Sequence, residues 1–181
     1  MTREQAREIL FDLTKSASLR RHARTVELVM EAFAHKYGED PEQFAITGIL
    51  HDADYEAYPD QHPNVIVQKL KDMGEEEIAH AIAGHYTIWG VPRNSLLDKC
   101  IVAADELTGF IVAAALIRPT LIEGMKVKSV MKKFKTSTFA AKVDREEVRR
   151  GAALLGMELS DLIAFIIPVL QNHKEELGLA S

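Results

Sequence analysis

Hydrophobic spacing constrains this chain more than any other feature. Along nearly all of its 181 residues, apolar side chains recur at intervals of three and four, the period of a helix with one buried face. No convincing two-residue alternation marks a half-buried strand. The expected fold is therefore all-α, a compact multi-helix bundle with extra helices towards the C-terminus. Start and stop signals divide it. Thr2 and Gln5 have capping-box spacing ahead of a first helix. A second helix is expected from about Leu19 to Tyr37, stopped by Gly38. Asp40-Pro41, with Gln43 in capping-box register, opens a third that is predicted to run through His51 and fray near Tyr58-Pro59. Shorter helices follow from about His62 to Met73 and from Glu75 to about Ile88. Asn94 is the expected cap of a long apolar helix, Ser95 to Ile117, ended before Pro119. Three more are predicted: around SVMKKFK, from Asp144 with Glu147 as its capping partner, and from near Ser160, with Pro168 as a kink.

Polar residues interrupt the buried stripes at a few places. His22 shares a face with Val26, Val29 and Phe33; His85 shares one with Ile78, Ala81 and Ile82; Asp105 lies with Leu97, Ile101, Ala104 and Thr108. His51-Asp52 follows Ile49 and Leu50 directly. An unpaired polar or charged group on such a face costs several kcal/mol, roughly 2–7 even for a neutral one. Taken singly, an inward histidine is most simply a hydrogen-bonded core residue, and Asp105 has a possible donor in Thr108. Taken together, several helices each sending a metal-competent group inward favour one shared divalent cation, which satisfies imidazole and carboxylate at once.

Composition narrows the class. The net charge of −5 and the 27% of charged residues belong to an ordinary globular protein. Residues 121–150 carry nine Lys or Arg against four acids, so that segment is +5 and the remainder −10. The overall acidic balance argues against a general nucleic-acid binder. The single cysteine, Cys100, lies in an apolar stretch and fits a packed thiol in a reducing cytoplasm. MTREQAREIL has charges where a signal peptide needs apolar residues, and no apolar run is long enough for a membrane span, so a cytoplasmic location is expected. There is no Walker loop, G-x-G-x-x-G, Cys-x-x-Cys or G-x-S-x-G.

The order His22, His51-Asp52, Asp105 resembles the signature of the HD-domain superfamily of metal-dependent phosphohydrolases. The likeness covers about residues 18–118 of a single domain spanning 1–181, with a helical extension over about 119–181. ADELTGF (104–110) and KSVMKKFKTSTFA (128–140) are similar to a subgroup of HD hydrolases with no assigned substrate. The resemblance implies that His22, His51, Asp52 and Asp105 bind a divalent metal. Binuclear members add two histidines between the pair and the last Asp. His62-Pro63 resembles the His-Pro turn of that branch, and His85 falls where its next ligand lies. The glycine-rich sequence of the branch is absent, TIWGVP standing after Tyr86, and Tyr55 replaces a lysine found in many members. His80 is about 140° around its helix from His85 and is read as a surface residue.

One or two ions (Mn, Mg, Co, Ni, Zn or Fe) are thus the expected cofactor. The implied reaction is hydrolysis of a small phosphorylated substrate, a nucleotide among the candidates, by metal-activated water. Asp52 is then the bridging ligand in the two-ion case, Asp54 or Glu106 a proton carrier, and Lys126, Lys128, Lys132 and Lys133 candidate phosphate contacts. Two other readings stay open: a di-iron oxygenase of a small polyol or phosphonate, and a regulatory module that binds metal or nucleotide without turnover. The apolar stripes of the C-terminal helices suit core closure or a homodimer.

Overall fold

The computed structural model describes residues 1–181. Nine α-helices and one 3₁₀ turn make up the chain, with no strand, so the expected all-α fold is the fold found. They are α1 (Arg3–Leu13), α2 (Ala17–Tyr37), α3 (Pro41–Leu50), α4 (Asn64–Asp72), α5 (Glu76–His85), the 3₁₀ turn η1 (Thr87–Trp89), α6 (Leu96–Leu116), α7 (Val127–Phe134), α8 (Arg145–Leu154) and α9 (Leu159–Asn172). The chain divides into two compact units, Met1–Ile101 and Val102–Ser181. The dividing point falls inside α6, whereas the sequence reading placed one domain over 1–181 and began its extension at about 119. No single helix is long and apolar enough to cross a membrane.

Several boundaries correct the sequence reading. Thr2 and Gln5 form the reciprocal box as expected. Asp40 instead caps Glu42 N–H, while the Gln43 side chain donates to Glu77. Asn94 is not the cap of α6: Ser95 Oγ accepts from Asp98 N–H, and Asp98 Oδ2 accepts from Asn94 and Ser95 N–H. The largest correction is α3, which stops at Leu50 and does not reach Tyr58. From His51 to Pro63 the chain winds through turns whose side chains cap other helices. Glu56 accepts from Lys15 and Ser16 N–H at the start of α2, where Ser16 supplies no side-chain cap of its own. Those N–H groups, Ser16 first, hold the Glu56 carboxyl below its ordinary range.

In the first unit α3 lies tight on α2, because Gly48 has no side chain to hold them apart. A Cβ there would stand 2.8 Å from Glu27 Cα and N. Glu27 is itself buried, and its carboxylate takes Arg7 at 2.6 Å and Arg24 at 2.8 Å, with Arg3 at 3.8 Å. Such pairing is what makes a buried charge tolerable. Arg3 also reaches Glu31 and Glu42, tying α1 to α2 and α3. Leu10, Ile46, Ile49, Leu50, Ile66 and Leu70 fill the core beneath.

In the second unit Gly151 gives the same freedom, since a Cβ would meet Ala103 Cα at 2.7 Å. Arg145 locks the turn before α8: its guanidinium lies 5.0 Å from the Phe110 ring centre and donates to the carbonyls of Phe139, Ala140 and Val143. The buried Thr108 hydroxyl makes no hydrogen bond, so the alternative partner for Asp105 weighed above is not realised.

Candidate metal centre

His51 sits where α3 ends, still with helical backbone angles (φ −53°, ψ −38°) and its N–H on Thr47 O. Its side chain is fully buried. The Nδ1 atom lies 2.8 Å from Gly48 O, and since a carbonyl only accepts, Nδ1 carries the proton. That leaves Nε2 with a lone pair. It points at Nε2 of His22, 3.2 Å away.

The same arrangement recurs twice. His85 donates from Nδ1 to Ile82 O, again three residues back, leaving Nε2 3.5 Å from Asp52 Oδ1. His62 donates from Nδ1 to Asp54 Oδ1 at 2.7 Å, leaving Nε2 3.3 Å from the same Asp52 Oδ1. The other oxygen, Asp52 Oδ2, faces His51 at 3.6 Å and His22 at 3.9 Å. Four imidazole rings therefore form a chain of edge-on neighbours, 5.1 to 5.7 Å between centres, around one carboxylate. Two sets of donor atoms result, each mutually within 4.8 Å: His22, His51, Asp52 and Asp105, and Asp52, His62 and His85. Asp52 belongs to both, one oxygen turned to the histidines of each.

Nε2 of His62 and of His85, each with its proton held on Nδ1, face a carboxylate oxygen, lone pair against lone pair. A cation would satisfy those lone pairs together with Nε2 of His51, and the N and O donors suit Zn, Mn, Co or Fe. The donor set thus fits one or two divalent ions.

The other sequence candidates fall as follows. Asp54 is wholly buried and spoken for: Oδ1 takes His62, and Oδ2 takes Ile66 N–H at 2.9 Å, in the first turn of α4. Glu106 follows Asp105 on α6, and both are partly exposed. Lys126 stands at the N-terminal cap of α7. Lys128 is exposed, and Lys132 lines a cavity of about 340 Å³ with Arg118 and Lys133. His80, outside the donor sets, bonds Asp98 at 3.1 Å beside a larger cavity of about 750 Å³. That cavity is lined by none of the candidate ligands. Cys100 is buried, and burial pushes its thiol up to about 12, which suits a packed side chain and not a nucleophile.

Sequence reasoning missed the groups that aim the histidines. The carbonyls of Gly48 and Ile82 each lie three residues before the histidine they hold, a spacing visible in hindsight. Asp54 as the orienting partner of His62 left no such trace.

A family model described as HD domain matches residues 19–109, half of the chain and every residue of both donor sets. No curated protein and no solved structure matches it.

Proposed function

The chain belongs to the HD-domain family, and from that premise we propose that it is a metal-dependent phosphohydrolase acting on a small phosphoester, nucleotides first among them. The observation that carries this reading is the division of Asp52, Oδ1 towards His62 and His85 and Oδ2 towards His22 and His51. A carboxylate so placed could serve two divalent ions, which His22, His51 and Asp105 would hold in one case and His62 and His85 in the other. Such a pair, when bound, supplies Lewis acidity at phosphorus and an acidified water near neutral pH.

The chain's own residues do the rest. Gly48 O, Ile82 O and Asp54 hold three Nδ1–H groups, so that His51, His85 and His62 present Nε2 without rearranging. Asp54, committed to two donors, serves as a positioning residue for His62. Glu106, the neighbour of Asp105 on α6, is the carboxylate we assign to proton traffic at the leaving oxygen.

The test is metal content and turnover together. The untreated protein is expected to hold two ions, and with Mn, Co or Mg to release phosphate from at least one phosphoester in a panel. His51→Ala is expected to lose both ion binding and release. Equal phosphate release by wild type and His51→Ala overturns the assignment. Oxygen uptake with iron-loaded protein and no phosphate release points to the oxygenase chemistry instead.

A further inference from the structure

Exposed aromatic side chains concentrate beside one half of the metal centre. Tyr55 and Tyr86 each meet the His62 ring edge-on, with centres 5.4 and 5.5 Å away. Tyr86 in turn meets Trp89 at 6.0 Å and 87°. Tyr55 is 50% exposed, Trp89 39%, and Ile88, next to Trp89 on η1, 81%. All these ring contacts are edge-on, so none of the rings is stacked face to face on another. The segment is also fixed in place: Arg93 donates to Gly84 O at 2.8 Å and to Thr87 Oγ1 at 3.0 Å, and Gly90 closes the turn in the left-handed region at φ 63°. Core packing does not account for an indole and an isoleucine left in water on a three-residue turn. Contiguous apolar surface held in one place marks a binding site more often than chance exposure does.

We propose that Tyr55, Tyr86 and Trp89 form a stacking subsite for a planar ring carried by the phosphoester substrate. The inference rests on the hydrolase reading above and adds to it the side chains that select the organic half of the substrate. Aromatic faces offer polarisable surface and no cationic donor, so they suit a flat, weakly polar group and not a second phosphate. Ring faces accept any base, so this subsite selects for a heteroaromatic ring and tolerates its identity.

Trp89 is the chain's one tryptophan, so its emission reads the subsite directly. The full chain, stripped of metal by a chelator, is titrated with adenosine 5′-monophosphate and separately with ribose 5-phosphate. Emission is excited at the red edge, where adenine does not absorb. Saturable quenching by the nucleotide and none by the sugar phosphate is expected. Tyr86→Ala is expected to weaken the nucleotide response about tenfold, in line with loss of one base–aromatic stack, and Tyr86→Phe to keep it. Equal responses to the two compounds, or none to the nucleotide, overturn the subsite. Metal uptake by the same preparation separates the two ideas. A chain that takes up ions without quenching keeps the metal centre and loses the subsite, and one that quenches without taking up ions does the reverse.

Discussion

A histidine can hold a metal only through a nitrogen free of its proton, so the residue that takes the proton matters as much as the ligand. Asp54 is the clearest case, because it aims His62 and at the same time caps Ile66 N–H from a fully buried position. In Asp54→Asn one amide face still accepts from His62, but the NH₂ group then confronts Ile66 N–H, donor against donor. The expected outcome is a stability loss of about 1–3 kcal/mol and a 10–100-fold weaker second ion, with the first ion retained. Denaturant melts and metal titration by calorimetry read the two effects separately. If both ions weaken equally, His62 does not belong to a site of its own. At this scale the groups whose donor atoms converge were legible, because His22, His85 and Asp105 break apolar stripes and His51-Asp52 ends one. The role of Asp54 was not, since its partners lie eight and twelve residues away across turns with no periodic pattern.

Elements were legible where local signals decide them, and less so where another part of the chain does. The capping box at Thr2 and the glycine stop at Gly38 behave as their sequences say. The end of α3 does not, because Asp54 and Glu56 give their oxygens to α4 and α2 rather than prolonging their own helix. Nothing within residues 48–58 announces those distant donors. The placing of α3 on α2 depends likewise on Gly48, whose carbonyl also orients His51. Gly48→Ala should raise helix propensity locally yet force the two backbones apart. Overpacking of this kind costs about 1–3 kcal/mol, more than the ~1 kcal/mol gained from replacing glycine in a helix. The expected result is a net loss of stability accompanied by weaker binding of the ion held by His51. A variant as stable as the wild type would mean that α2 and α3 separate freely and that this contact does not set the position of His51.

Across the whole molecule, the candidate metal centre ties ion binding to folding. The first unit gathers four imidazoles and a carboxylate whose donor atoms converge, and it does so at the end of a helix with an apolar cluster beneath. Unfolded chains hold no converging ligands, so metal binds the native state preferentially and its binding energy appears as folding stability. At a free metal concentration a hundred times the dissociation constant, the gain is about 2.7 kcal/mol. In a chain of this size that corresponds to a melting point raised by roughly 5 to 10 °C. Thermal melts with increasing Mn should show this rise, a chelator should reverse it, and His51→Ala should melt at one temperature whatever the metal concentration. A wild-type melting point that ignores Mn, Co, Zn and Fe alike would mean that the converging nitrogens hold no cation, and the two-ion reading would fall with it.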